Sequence, residues 1–63
     1  MVSRERKQNL IEGIVKMALE DARKYLVVME VILGETESDW MAAQLNELDS
    51  TRIQKLHDDL LVV

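Results

Sequence analysis

The sequence contains no cysteine, no proline and no phenylalanine, and only one histidine. Without cysteine there is no disulfide and no thiolate zinc site. One histidine cannot build an imidazole-rich metal centre, so neither metal nor cofactor is expected. A cysteine-free composition fits a reducing compartment. The two glycines, Gly13 and Gly34, stand alone, so no glycine-rich loop cradles a phosphate. With no proline and so little glycine, few residues oppose helix formation, and helices are expected throughout.

Long uncharged apolar runs are also missing. No stretch reaches the 18 or so residues that a transmembrane helix needs, and no membrane association is expected. The charged start Met1-Val2-Ser3-Arg4-Glu5-Arg6-Lys7 lacks the apolar centre of a signal peptide. A cytoplasmic location is the expectation that follows.

The net charge is −4 over 63 residues, and it is unevenly placed. From Glu30 to Asp49 there are six acidic residues and no basic one. Such a segment repels nucleic acid and attracts basic surfaces. Glu35, Glu37, Asp39, Glu47 and Asp49 are therefore candidates for contact with a basic partner protein.

The chain reads as one domain over residues 1–63 and as an all-α fold. Its main feature is a predicted long helix from Ser3 to Leu33. Ile11, Val15, Ala18, Ala22, Tyr25, Met29 and Ile32 recur at alternating steps of four and three, the spacing of a helix seam. A second register, Val15, Leu19, Ala22, Leu26, Met29 and Leu33, runs beside it. Ser3 is a plausible N-cap, and Glu5 lies in the first turn, where the helix dipole favours an acid. Arg4, Arg6 and Lys7 read as a solvated helix start. The alternative is a phosphate-contacting patch, but no aromatic residue stands nearby to stack a base.

Between Tyr25 and Leu33 only Glu30 interrupts the apolar residues. A helix apolar on every side must be covered on every side. Cover could come from the later helices of the same chain or from a second chain. Domains of this size often gain stability from a partner, which favours the second chain. Tyr25, Val27, Val28, Val31, Ile32 and Trp40 are the expected dimer or partner interface. Trp40 is either core filler or a binding anchor. The β-branched residues here also suit a strand, although no second strand-like run exists to pair with one.

Gly13 lies inside the predicted helix, where it costs about 1 kcal/mol relative to alanine. It marks either a tolerated flaw or the close approach of another helix. Gly34 suits the residue just past a helix C-terminus, and residues 35–39 form the one clear connector. Thr36 or Ser38 is expected to cap a second helix over Glu37–Glu47. Asp49, Ser50 and Thr51 make a second break, with a third helix over Thr51–Leu61; a single bent helix is the alternative. Ile53, Leu56 and Leu60 would line one face of it. The apolar end, Leu60-Leu61-Val62-Val63, is expected to dock on the body or on a second chain. The fold expected is a helical hairpin of one long and two short helices that dimerises into a bundle.

Catalysis needs a base or nucleophile held in place by partners. His57 is followed by Asp58 and Asp59, but consecutive helix residues do not face one another. Glu30, amid apolar residues, is the best candidate for a perturbed acid. No catalytic site is expected. Two functional classes remain. The first is a small regulatory protein acting by protein–protein binding, as a homodimer, with inhibition of a nucleic-acid-binding protein as one form of it. The second is a helix-turn-helix-like nucleic-acid binder over residues 42–56, in which Ala43, Leu48 and Ile53 would pack inward. Glu47 in its turn, with Asp58 and Asp59 on its second helix, argues against that class, since phosphate contacts need basic charge.

Overall fold

Asp21 divides what the sequence presents as one helix into two. The computed structural model describes residues 4–33 and 40–63. It places α1 at Arg4–Glu20, α2 at Ala22–Ile32, α3 at Met41–Glu47 and α4 at Ser50–Val62. Among the described residues there is no strand. The expectation of an all-helical chain holds, and the expectation of a single helix over Ser3–Leu33 is corrected.

The reason for the break is local. Asp21 is extended, with φ −141° and ψ 119°. Its backbone N–H still donates to the Met17 carbonyl (3.1 Å), closing α1. Its own carbonyl accepts from the Tyr25 N–H (3.0 Å), opening α2. Its carboxylate Oδ1 accepts from the Arg23 N–H at 2.9 Å. Aspartate is a poor helix-interior residue and a good N-cap because its short side chain competes for nearby amides. Helical spacing alone does not register that competition, because both halves keep the same periodicity.

The corner lets α2 turn its Val28 and Ile32 face inward. These join Ile11, Ile14 and Ala18 of α1, Leu45 of α3, Leu48, and Ile53, Leu56 and Leu60 of α4 in one aliphatic core. α1 and α4 each contribute at steps of three and four, and α2 at a step of four, as packed helical stripes should. α1 is the hub: it packs most extensively on α4 and also touches α2 and α3. The Cα envelope measures 30 × 26 × 15 Å. Its short dimension suits two layers of helices whose axes lie about 8–10 Å apart.

The inward face of α1 is centred on Ile14 rather than Val15. Both residues fit the periodicity, and the position of α4 decides between them. Most of the second register therefore faces out: Leu19, Ala22, Leu26 and Leu33 are exposed, while Val15 and Met29 are half-buried against the core.

α3 begins at Met41, later than the predicted Glu37, with Trp40 at its N-cap making no side-chain capping bond. The expected caps Thr36 and Ser38, and Gly34, lie outside the described residues. α4 runs one residue beyond its predicted limits at each end. Asp49 caps it, its Oδ1 accepting from the Arg52 N–H at 2.8 Å. The two-residue break at Leu48-Asp49 rules out a single bent helix. Of the apolar end expected to dock, Leu60 is buried in the core, whereas Leu61, Val62 and Val63 are exposed.

Gly13 faces the side chain of His57 and not the backbone of another helix, so it is a tolerated position rather than a point of close backbone approach. A Cβ built there would lie 3.4 Å from His57 Nε2 and 3.5 Å from its Cδ2. The imidazole of α4 thus rests over the one α1 position with no side chain. That spacing is ordinary van der Waals contact, so an alanine methyl fits, whereas a branched side chain would displace the ring. Gly13→Ala should stabilise the fold by up to about 1 kcal/mol through helix propensity, a rise in Tm of roughly 4–8 °C. Gly13→Leu should lower Tm. Thermal melts followed by circular dichroism check both.

Candidate interaction surface

The interface expected from sequence divides between interior and surface. Val28 and Ile32 are fully buried beneath their own chain. Val27 and Val31 are half-buried and packed against the same core. Those four side chains are covered largely from within, because the corner at Asp21 turns the apolar end of the predicted helix inward. Tyr25 and Trp40 remain at the surface, Trp40 79% exposed.

The apolar surface left over lies elsewhere. Leu19 is 75% exposed and Leu26 67% exposed. On α1, two rows of residues at four-residue spacing lie side by side: Gln8, Glu12 and Lys16, and Ile11, Val15 and Leu19. With Ala42 of α3 they line one shallow groove, apolar along its floor and polar along one rim. Ile11 and Val15 of the apolar row belong to the seam expected from helical spacing, and Leu19 to the second register beside it.

Of the acidic candidates, Glu35, Glu37 and Asp39 lie outside the described residues. Glu47 and Asp49 are exposed and share a surface depression with Leu48 and Arg52. Asp49 spends one carboxylate oxygen on the cap of α4, and the Arg52 guanidinium nearby offsets the acidic charge. Glu30 is exposed rather than enclosed. It lines a groove of about 270 Å³ between α2 and α4 with Val31, Arg52, Lys55, Leu56 and Asp59. Within that groove Lys55 Nζ pairs with Asp59 Oδ2 at 3.1 Å, so its charges are mixed and partly matched.

The basic start of α1 also has structural work. Lys7 Nζ donates to the Asn46 backbone carbonyl (3.0 Å), and Gln8 Nε2 donates to Asn46 Oδ1 (3.1 Å). Arg6 Nη2 donates to Gln54 Oε1 at 3.4 Å. Asn46 lies in the last turn of α3, where carbonyls lack intrahelical donors and a cation is favoured. Lys7 thus satisfies the end of a neighbouring helix, a long-range role that local charge and spacing do not reveal.

His57 Nδ1 is enclosed and makes no hydrogen bond; the Asp58 carboxylate is its nearest charged neighbour at 3.8 Å. Among the described residues, no three histidine, aspartate or glutamate side chains are grouped to hold a metal ion. Nor is any helix among them long and apolar enough to cross a membrane. In the 42–56 segment Leu48 and Ile53 point inward, but Ala43 is exposed and Leu45 takes the interior position instead.

Val28→Glu tests the division between interior and surface. A carboxylate forced into this aliphatic site would cost several kcal/mol, comparable to the roughly 3–5 kcal/mol that a core of this size supplies. The expected outcome is loss of helical circular dichroism, not release of folded subunits. No family model, curated protein or solved structure matches this chain.

Proposed function

We propose that this chain is a small non-enzymatic interaction protein that acts by protein–protein binding as a homodimer. The observation that carries the reading is the exposure of large apolar side chains around a core that is already closed. Leu19, Leu26, Leu33 and Trp40 stay in water although ten aliphatic side chains are sheltered. Single exposed leucines are ordinary, but a groove lined by Ile11, Val15 and Leu19 together has the character of a protein contact surface. Support no longer comes from Val28 and Ile32, which the chain covers itself.

Its only histidine supports a non-catalytic reading. The ring lies over Gly13, with one nitrogen enclosed and no hydrogen-bonded acid to orient it. The acidic-inhibitor form of the reading rests on Glu47 and Asp49 alone among the described residues, and Arg52 beside them weakens it. The nucleic-acid alternative is weaker still. α4 gives Ile53, Leu56 and Leu60 to the core, and its outward Lys55 is paired with Asp59.

Sedimentation equilibrium of the whole chain tests the homodimer. The expected mass at micromolar concentration is twice the 7.3 kDa of one chain; a species that stays at the single-chain mass refutes it. A gel-shift titration on random duplex at low salt separates the two classes. No shift is expected, and tight, salt-sensitive binding would favour the nucleic-acid reading.

A further inference from the structure

The α1–α3 groove has the features of a self-complementary surface. Its apolar row, Ile11, Val15 and Leu19, climbs from buried at Ile11 to 75% exposed at Leu19. Its polar row carries Glu12 and Lys16 one helical turn apart, both exposed. Ala42 forms the facing wall, itself small and exposed.

Building on the homodimer reading above, we propose that a second copy of this chain docks in this groove, α1 against α1, about a two-fold axis. Two observations favour a copy over a different protein. The first is the row geometry. Rows at four-residue spacing on two identical helices interlock, each lying in the other's groove, at a crossing angle of about 50°. A small residue at Ala42 leaves room for the incoming row on the α3 side.

The second is charge. A two-fold contact applies the same patch to both subunits, so a residue i meeting j requires j to meet i. With the axis near the middle of the groove, Glu12 faces the partner's Lys16, and Lys16 faces the partner's Glu12. A rim with one charge of each sign satisfies itself in this way. A strongly basic or strongly acidic partner would leave one of the two repelled. A standard interface needs about 800 Å² per subunit, roughly a sixth of the 4576 Å² that the chain exposes.

The test is sedimentation equilibrium with far-ultraviolet circular dichroism on the full chain and four variants. Leu19→Glu should raise the dimer dissociation constant by about tenfold or more, because it puts a charge on the most exposed apolar side chain of the row. Helicity should not change, because this side chain already stands in water. Ala42→Arg, on the opposite wall, should have the same effect and serves if Leu19→Glu alters the fold. Glu12→Lys and Lys16→Glu should each weaken the dimer several-fold, more at low salt. The double variant Glu12→Lys/Lys16→Glu should recover wild-type affinity, since the reciprocal pairs are rebuilt with signs exchanged. A wild-type dimer that Leu19→Glu and Ala42→Arg leave intact would overturn this docking surface while the homodimer reading stands. A double variant weaker than either single one would overturn the two-fold pairing of Glu12 with Lys16. A wild-type chain that never dimerises would remove the homodimer reading and this surface together.

Discussion

One residue in extended conformation, Asp21, decides what this chain can bury. Held straight, residues 4–32 would form a rod roughly 44 Å long at 1.5 Å per residue, and α3 and α4 could not shelter both ends. With the corner, Val28 and Ile32 come onto the same core as Ile11, Ile14 and Ala18. Asp21 serves both helices at once. Its N–H completes the last turn of α1, and its carbonyl and carboxylate begin α2. The corner therefore breaks few backbone hydrogen bonds, and the burial of α2 more than offsets what it costs.

The second constraint is the hub position of α1, which three other helices share. α4 lays the His57 ring over Gly13 at a distance that ordinary van der Waals contact allows. α3, only seven residues long, could not persist by itself. Leu45 and Leu48 anchor it from below, and Lys7 and Gln8 hold its C-terminal turn through Asn46. Local sequence, tertiary packing and long-range polar contacts thus each hold a different helix in place.

Much of the architecture was legible from residue order. Helical character, the break before α4 and the core role of Ile53, Leu56 and Leu60 follow from spacing and capping chemistry alone. Three features did not. The corner at Asp21 was hidden because a capping residue inside an apolar periodicity leaves that periodicity intact. The choice of Ile14 over Val15 as the core position was hidden because both are apolar and only the placement of α4 separates them. The candidate surface moved for the same two reasons. Turning α2 inward consumed Val28 and Ile32, and rotating α1 onto Ile14 released Leu19. The surplus of apolar helix surface was readable from composition and pattern. Its address was not, because that depends on which face the rest of the chain selects.

The core draws on no aromatic ring at all: Tyr25 and Trp40 both lie at the surface. Indole emission depends on the polarity around the ring, and here the ring already sits in water in the native state. Heating or denaturant would change that environment little, so tryptophan fluorescence is nearly blind to the collapse of this core. The same ring would shift its emission to shorter wavelength once another surface covered it, which makes the chain's single indole a built-in reporter of contact rather than of folding.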